Sequence, residues 1–410
     1  MKLEFFIANR MRINRTHKNS VSNRIIKIAS SAVAISVVMI ILAFSVGIGF
    51  QNEIKHKTSS FSGHISIAPF ENNNSMISVS KFSFNDFKKV SYLNDKKIEN
   101  FYPIISKAVI IKNENEFEGM VFKGLDMNYN WEKFSSFLIS GKFPDLSGEL
   151  KNELLIPIEI ANRLSLKIGD KVSCYFENSK SNYPISRKLE ITGVFQTGFP
   201  DFDKSYGIID LRHIQKINNW ENDQIGGLEI FLNDINEIDS FTNFLYRKLP
   251  SDIDVISVKE KFKSIYDWIS LFDFNILIIL ILMVIIGILN MSTVLLVFIL
   301  ERSKMIGLLK SFGSNNYLIQ KIFLINCFYI MMKGIIIGNS IALFILFMQS
   351  NFGFFKLDSE TYYLSEIPVF FSFYYFFLIN LGVIFTCMIS LLIPSSLISK
   401  IYPSKVLRLT

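Results

Sequence analysis

Four long apolar segments constrain this chain of 410 residues more than any other feature. They are residues 25–50, 276–300, 322–350 and 369–398. About 20 apolar residues suffice for a helix to cross the hydrocarbon core of a bilayer, so each segment predicts a transmembrane helix. The first follows a basic leader, but it is too long for the apolar region of a signal peptide and no small-residue cleavage site follows it. We therefore predict an uncleaved first span.

The distribution of charge predicts the orientation in the membrane. Residues 1–27 hold seven Lys/Arg and one acidic residue, residues 301–321 hold four and one, and residues 399–410 hold three and none. Residues 51–275 hold 27 basic and 31 acidic residues. Because short basic segments stay in the cytoplasm, we expect both termini and residues 301–321 on the cytoplasmic side of the membrane. No basic cluster predicts a nucleic-acid partner.

The long segment between the first two spans combines strand and helix patterns. Runs rich in β-branched and aromatic residues predict strands at 64–70, 107–112, 117–125, 171–176, 188–196 and 226–232. Amphipathic runs predict helices at 85–93, 157–166 and 235–249. The predicted fold class is an α-helical membrane protein with four transmembrane helices and a large extracytoplasmic α+β domain, in two lobes, between helices 1 and 2.

The complete predicted order follows from these patterns. It is an amphipathic cytoplasmic helix (1–24), transmembrane helix 1 (25–50), the extracytoplasmic domain (51–275), helix 2 (276–300), a cytoplasmic helix (301–321), helix 3 (322–350), a short extracytoplasmic loop (351–368), helix 4 (369–398) and a cytoplasmic tail (399–410).

No catalytic chemistry emerges from the sequence. His56, His64 and His213 are scattered, without partners at metal-ligand spacing. The segment "SGKF" (140–143) lacks the first glycine and the hydroxyl residue of a phosphate-binding loop. The three cysteines supply no disulfide framework. We therefore predict no catalytic, metal or cofactor site, and no ATP hydrolysis by this chain alone.

The segment "ERSKMIGLLKSFGSNN" (301–316) is more than a turn between two spans. Met305, Leu308, Leu309 and Phe312 recur with the spacing of an amphipathic helix. Gly313 predicts the end of that helix, and the following Ser314 or Asn315 is suited to begin the next one. An apolar stripe on a cytoplasmic helix must be covered, either by the inner leaflet or by a groove on a soluble partner.

Polar residues in the third span predict a seam between spans. A lysine at mid-membrane costs about 2.5–3.5 kcal/mol unless it faces protein or water, and the alternative for Lys333 is to extend toward the lipid headgroups. The G-x-x-x-G of "GIIIG" (334–338) allows two helix backbones to approach closely. Four spans are few for a substrate path, so we expect a dimer. The predicted seam residues are Asn290, Asn326, Lys333, Gly334, Gly338 and Ser340.

The 301–313 segment resembles the "ER-x-x-x-IG-x-L-x-x-G" coupling helix of FtsX-like permeases of ABC transporters, including the lipoprotein-releasing (LolC/LolE) and MacB groups. In that family the helix contacts the ATPase subunit. The resemblance implies that the apolar residues fill a groove on the ATPase and that the charged residues orient the helix. The residues it implies for ATPase coupling are Glu301, Arg302, Met305, Ile306, Gly307, Leu309, Phe312 and Gly313.

Further motifs extend the resemblance along the chain. The opening "FFIANRMRI" and "GFQNEI" (49–54) are similar to the start and the first-span exit of lipoprotein-releasing permeases. The segments 191–211, 362–369 ("YYLSEIPV") and 402–408 ("YPSKVLR") look like further family elements. MacB itself carries a fused ATPase, which this chain lacks, and this departure favours the lipoprotein-releasing type.

The resemblance implies a MacB-like periplasmic core domain and a permease that works by mechanotransmission. Such a permease would release lipoproteins from the outer leaflet of the inner membrane toward the outer membrane. Its implied partners are a cytoplasmic ABC ATPase that binds ATP and Mg, a second permease copy or paralogue, lipidic cargo, an extracytoplasmic carrier and membrane lipid. The alternatives are an FtsX-like regulator of a cell-wall hydrolase, a MacB-like exporter of small molecules or peptides, and a scaffold or sensor without transport.

Overall fold

The computed structural model describes residues 3–13, 21–73, 75–88, 93, 95–113, 116–178 and 183–401. The chain divides into two compact units. The helical unit comprises Met1–Gln51, Ile269–Lys356 and Glu366–Thr410. The α+β unit comprises Asn52–Trp268 and Leu357–Ser365. The middle of the predicted 351–368 loop therefore belongs to the α+β unit, which the sequence did not indicate.

Fifteen α-helices are formed by the described residues. They are α1 (Leu3–Ile13), α2 (Val21–Ser62), α3 (Phe70–Asn73), α4 (Phe84–Lys88), α5 (Ile158–Arg163), α6 (Pro200–Asp203), α7 (Leu211–Asn218), α8 (Ile238–Lys248), α9 (Val258–Lys261), α10 (Lys263–Glu301), α11 (Ser303–Ser311), α12 (Asn316–Phe352), α13 (Ser359–Tyr362), α14 (Phe373–Ser390) and α15 (Leu392–Ser395). Short 3-10 helices occupy Trp131–Phe137, Ile235–Glu237 and Ser396–Lys400.

Twelve strands are formed within the same described ranges. They are β1 (Ile65–Pro69), β2 (Phe82–Ser83), β3 (Ile98–Asn113), β4 (Glu116–Leu125), β5 (Leu138–Gly141), β6 (Glu153–Pro157), β7 (Lys171–Phe176), β8 (Ile185–Phe195), β9 (Tyr206–Asp210), β10 (Gln224–Ile225), β11 (Gly227–Leu232) and β12 (Ile253–Ser257).

Four helical segments of the described chain are long and apolar enough to cross a membrane: Ile26–Ser62, Lys263–Glu301, Asn316–Phe352 and Phe373–Lys400. Each overlaps a predicted span. The second begins 13 residues before the predicted position 276, because acidic residues such as Asp273 lower the local hydropathy without interrupting the helix. The fourth begins at Phe373, later than predicted, since the preceding residues are extended.

The described residues of the helical unit form a large apolar core, and Ala29, Val294 and Ile330 form a second, smaller one. Val33 and Val37 of α2, Met291 and Leu295 of α10, and Phe323 of α12 are all buried in the large core. α11, α14 and the last 3-10 helix contribute further buried residues. In a water-soluble core, each Å² of buried apolar surface contributes about 25 cal/mol to stability. Inside a bilayer, close packing of the helices stabilises the bundle instead.

A ten-stranded mixed sheet forms the α+β unit. Nine strands follow the order β12-β1-β11-β3-β4-β9-β6-β8-β5, and β7 pairs with both β3 and β8. The β4–β9 and β6–β8 pairs are parallel, and the other pairs in this sheet are antiparallel. β2 and β10 form a separate small pair. The described residues of this sheet pack into two apolar cores, but they belong to one compact unit, so the two predicted lobes are not separate.

The sequence predicted the strands that correspond to β1, β3, β4, β7, β8 and β11, with β3 and β8 longer than expected. It missed β6 because four of its five residues are buried, so polar and apolar residues do not alternate. The predicted helix 157–166 is α5, and 235–249 is a 3-10 turn followed by α8. The predicted helix 85–93 appears as α4, and residues 89–92 lie outside the described residues.

All three cysteines are free and buried. Cys174 of β7 lies in the sheet core, and burial raises the pKa of its thiol to about 12. Cys327 and Cys387 lie in the core of the helical unit. The α+β unit therefore rests on its packing and its hydrogen bonds, as the sequence predicted.

His64 is a buried histidine at the start of β1. Its Nδ1 accepts a hydrogen bond from the backbone N–H of Leu232 at 2.8 Å, so the neutral ring is the form that fits. Burial lowers the pKa of His64 to about 4, with Lys133 and His56 lowering it further and Glu99 raising it. Protonation of this ring is therefore easier in the unfolded chain.

We predict that acid destabilises the α+β unit between pH 6.5 and about 4. The pKa of His64 is lower in the folded state, so its contribution is complete above 6.5 and is lost as the pH falls. At pH 5 the loss is about 2 kcal/mol. All three tryptophans lie in this unit, so fluorescence-detected unfolding of the full chain measures it. His64→Asn keeps an acceptor near Nδ1 and should flatten the dependence; an unchanged slope would contradict the assignment.

Candidate functional site

The segment predicted to be a coupling helix forms α11, and local hydrogen bonds define its end and the start of α12. At its end Gly313, with φ +84°, donates from its N–H to Lys310 O at 3.0 Å, and Ser314 donates to Leu309 O at 3.0 Å. This pair of bonds is the Schellman arrangement that favours glycine. The side chain of Asn315 then accepts from Tyr317 N–H and caps α12. The predicted stop at Gly313 and the predicted cap are confirmed.

The buried and exposed side chains of α11 are not the ones that the sequence predicted. Ile306 is 0% exposed in the apolar core of the helical unit, and Met305 and Leu309 pack against that core. In contrast Leu308 is 47% exposed and Phe312 is 83% exposed. The prediction that Ile306 fills a groove on a partner is therefore wrong, whereas the same role for the partly buried Met305 and Leu309 stays a prediction. Gly307 is also buried, and only Phe312 of the predicted apolar set is largely exposed.

A group of exposed side chains on and next to α11 is accessible to a partner protein. It consists of exposed residues at the α10–α11 corner and along α11, which we call the coupling face: Glu301, Arg302, Lys304, Leu308 and Phe312. Exposed apolar side chains next to exposed charged ones are typical of a small binding surface. Leu308 belonged to the predicted stripe, but the family motif did not single it out.

Lys310 fixes α11 to the end of the fourth membrane segment. Its Nζ donates to Ile398 O at 2.7 Å, to Ser399 O at 3.3 Å and to Ile401 O at 2.8 Å. Carbonyl oxygens at a helix C-terminus lack partners within the helix and carry partial negative charge, so a lysine stabilises them. Desolvation lowers the pKa of Lys310. Nothing in the sequence indicated these acceptors, because they belong to the backbone.

We predict that Lys310→Met loosens this connection. The variant keeps the apolar stem and removes three donated hydrogen bonds, which should raise amide exchange in residues 396–401 by roughly tenfold, since charged hydrogen bonds contribute about 1.5–3 kcal/mol. Lys304→Met, on the same helix but exposed, is the matched control. Hydrogen exchange with mass spectrometry of the full chain in nanodiscs measures both. Equal exchange in the two variants would count against the connection.

The two glycines of the predicted seam mediate close helix contact. A Cβ at Gly334 would lie 2.8 Å from Ser30 O and 2.8 Å from Val33 Cβ. A Cβ at Gly338 would lie 2.7 Å from Ala34 O. α12 therefore packs on α2 through a surface that only glycine permits, which confirms the predicted close approach.

Two polar residues of the predicted seam form hydrogen bonds with their own helix. Asn326 Nδ2 donates to Ile322 O and Ser340 Oγ donates to Ile336 O, both on their own helix. Lys333 is exposed and Asn290 is partly buried. On α12, Gly334 and Gly338 are buried and Lys333 is exposed, and a polar contact with the span bearing Asn290 stays a prediction. Contact of this face with a second permease copy stays a prediction.

A polar contact between spans exists that the sequence analysis missed. Asn339 Nδ2 of α12 donates to Asn380 Oδ1 of α14 at 2.9 Å. Two asparagines in apolar segments were a visible signal, since a buried amide needs a partner.

In the α+β unit a buried ion pair was also missed. Lys123 Nζ lies 2.8 Å from Glu229 Oε1, and both side chains are almost fully buried. Lys123 Nζ also donates to Phe61 O and lies 4.8 Å from the centroid of the Phe61 ring. Such a pair joins β4 to β11 at the cost of desolvation. Among the described residues no cluster of three or more His, Cys, Asp or Glu residues could hold a metal ion.

Comparison with known proteins assigns the family. Residues 28–265 match the family described as the MacB-like periplasmic core domain. Residues 277–403 match the family described as FtsX-like permease C-terminal. The first match alone covers more than half of the 410 residues. The chain belongs to the FtsX-like permeases with a MacB-like periplasmic core domain.

Relatives of this FtsX-like permease match along most of its length. It is 26% identical to the lipoprotein-releasing system transmembrane protein LolC of Buchnera aphidicola subsp. Schizaphis graminum, over 93% of each chain. It is 21% identical to the corresponding protein LolE of Haemophilus influenzae, over 99% of each chain. The periplasmic region of MacB from Actinobacillus actinomycetemcomitans shares 13% identity and a TM-score of 0.34, covering 49% of this permease and 91% of that chain.

These relationships confirm the resemblance stated above and the predicted class of membrane protein. The FtsX-like region, 277–403, covers most of the helical unit that follows the α+β unit, and the MacB-like region, 28–265, covers part of α2 and most of the α+β unit. The chain is a membrane permease of the FtsX-like family, and the relatives reported above are transmembrane proteins of lipoprotein-releasing systems.

Proposed function

We propose that this permease releases lipoproteins from the outer leaflet of the bacterial inner membrane toward the outer membrane. It would do so as a dimer with an identical or paralogous permease. Support comes from the LolC and LolE relatives, whose similarity extends over 93–99% of the chain. An extracytoplasmic carrier would accept the cargo.

Energy would enter through a separate cytoplasmic ABC ATPase that binds ATP and Mg. The observation that carries this step is the coupling face, where Leu308 and Phe312 expose apolar surface between Glu301, Arg302 and Lys304. Buried between two proteins, these side chains would contribute the usual apolar anchor of an interface. The basic segments 1–27, 301–321 and 399–410 support a cytoplasmic position for this face and for both termini.

The proposed mechanism is mechanotransmission. Closure of the ATPases on ATP would displace the coupling face. Lys310 and Gln320, which donates to Ser395 O at 3.3 Å, tie α11 and the start of α12 to the end of the fourth segment. A displacement of α11 would therefore move the third and fourth spans together. The cargo would leave from the membrane surface without crossing the bilayer.

Depletion of the permease in its own bacterium tests the proposal. We expect mature lipoproteins to accumulate in the inner-membrane fraction, and wild-type protein supplied from a plasmid to restore their release. A defect in septation or wall cleavage without this accumulation would instead favour a regulator of a cell-wall hydrolase. Export of a small molecule without lipoprotein accumulation would favour a MacB-like exporter.

A further inference from the structure

The segment between the third and fourth spans contains a folded loop, residues 357–365, which we call the strap. The strap belongs to the α+β unit, although the residues on both sides belong to the helical unit. Leu357 N–H donates to Ser365 O at 2.9 Å and closes it. Inside it Tyr362 N–H donates to Asp358 O at 2.9 Å. The strap is therefore a compact loop with its own hydrogen bonds.

Its two ends are held at the end of α12 by one buried side chain. Gln349 Nε2 donates to Phe355 O and to Ile367 O, each at 3.1 Å. Gln349 Oε1 accepts from Phe355 N–H at 2.9 Å. Lys356 and Glu366 then form an antiparallel bridge. A movement of the third span at Gln349 would therefore carry both ends of the strap with it.

The surface that receives the strap is the turn 197–203, which we call the acceptor turn. The carboxylate of Asp203 accepts from Thr197 N–H at 2.8 Å, from Thr197 Oγ1 at 2.9 Å and from Gly198 N–H at 2.8 Å. Asp203 is buried, so these three bonds fix the turn firmly. The acceptor turn therefore has three internal hydrogen bonds in which the strap takes no part.

Tyr363 joins the strap to the acceptor turn. Its ring stacks on Phe199, with 4.9 Å between centroids and 18° between planes. The edge of Trp268 lies at 6.0 Å on the same ring. Tyr363 has φ +60°, which is unfavourable for a residue with a side chain and is tolerated only where contacts hold it. Aromatic pairs of this kind contribute about 0.5–1.5 kcal/mol beyond burial.

Backbone atoms make a second contact at the same place. Lys57 Nζ donates to Thr197 O at 2.9 Å and to Tyr363 O at 3.4 Å, so one ammonium bridges the turn and the strap. Gly198 has φ +84°, and a Cβ there would lie 2.8 Å from Tyr363 O. The strap therefore approaches the turn more closely than any residue other than glycine would allow.

From the acceptor turn an aromatic path leads into the α+β unit. Phe199 contacts Phe202 at 5.6 Å, and Phe202 stacks on Phe61 at 3.9 Å. Phe61 carries the ammonium of Lys123, which pairs with Glu229. Packed aromatic rings cannot move apart without leaving voids. A displacement of Tyr363 would therefore also displace the rings of Phe199, Phe202 and Phe61, which lead to the centre of the sheet.

We propose that Tyr363 is a positioning residue that locks the strap onto the acceptor turn, so that the third and fourth spans move the α+β unit. The inference deepens the proposed mechanotransmission and rests on it. The acceptor turn lies in segment 191–211 and Tyr363 in segment 362–369, so two motifs that are far apart in the sequence contact each other.

The first experiment measures the lock in the permease alone. Full-length protein in nanodiscs is compared by hydrogen exchange as wild type, Tyr363→Ala, Tyr363→Phe and Gly198→Ala. We expect Tyr363→Ala and Gly198→Ala to raise exchange roughly tenfold in the strap, while Tyr363→Phe keeps the ring and the wild-type rate. Tyr362→Ala, an exposed neighbour in the same strap, is the matched control. Equal exchange in Tyr363→Ala and Tyr362→Ala would overturn the lock.

The second experiment measures coupling in the complex with its ATPase in proteoliposomes that contain a triacylated lipoprotein and an external acceptor. We expect Tyr363→Ala to keep ATP hydrolysis within about twofold and to release at least fivefold less lipoprotein per ATP, with Tyr363→Phe restoring release. Unchanged release per ATP, with the strap loosened, would overturn the mechanical role. A wild-type complex that releases no lipoprotein would contradict the proposed function, while the exchange experiment would still decide whether the lock exists.

Discussion

The double variant Leu308→Asp/Phe312→Asp should abolish binding of the ATPase subunit. Both side chains are exposed in the permease alone, so the substitutions leave its fold unchanged. In the complex each carboxylate would be buried against apolar surface, at a cost of several kcal/mol unless it finds a partner. We expect at least a hundredfold weaker association and loss of stimulated ATP hydrolysis. Co-purification in mild detergent, followed by a titrated ATPase assay, measures both effects.

A matched control separates this effect from a general effect of added charge. Ile168 in the α+β unit is 45% exposed, close to the 47% of Leu308, and Ile168→Asp should bind the ATPase as the wild type does. Retained binding by the double variant would refute the coupling face. Equal loss in Ile168→Asp would show that the assay reports added charge instead of the interface.

The second large effect is expected at the contact between α2 and α12. Gly338→Val places carbon atoms within 3 Å of the backbone of Ala34, and rigid helix backbones cannot shift locally to admit them. Overpacking usually costs about 1–3 kcal/mol, and two branches of valine should place this variant at the upper end. Heating the protein in nanodiscs and monitoring monodispersity should show a clearly lower transition temperature, and Gly334→Val should behave alike.

Gly382 provides the comparison within the same membrane region. A Cβ at Gly382 meets nothing within 4 Å, so Gly382→Val tests only the conformational effect of replacing glycine in a helix. That replacement should be neutral or slightly stabilising, since glycine lowers helix stability by about 1 kcal/mol relative to alanine. Similar transition temperatures for Gly338→Val and Gly382→Val would disprove the close contact.

Hydropathy and local motifs predicted the elements well. The four spans, the end of α11 at Gly313, the start of α12 at Asn315 and the close approach at 334–338 follow from residue type and spacing alone. The sequence misidentified the exposed side of α11, because an apolar stripe predicts burial without naming what covers it. Here the bundle itself covers Ile306, and a large part of the available apolar surface lies at Leu308 and Phe312.

Contacts that depend on backbone atoms could not be predicted. Lys310 and Lys57 bind carbonyl oxygens that lie far away in the chain, and a carbonyl has no signature in a sequence. The strap lies beside the acceptor turn although more than 150 residues separate Phe199 from Tyr363. The ion pair of Lys123 and Glu229 was equally invisible, since 36 acidic residues offer too many candidate partners.

The burial of every thiol makes this permease suitable for site-directed labelling. A maleimide reacts with an accessible thiolate, and Cys174, Cys327 and Cys387 are all enclosed in packed cores. A single cysteine introduced on the strap or on α11 should therefore carry a fluorophore or spin label without prior removal of the native ones. Pairs of such probes would allow the motion of the working transporter to be followed in real time.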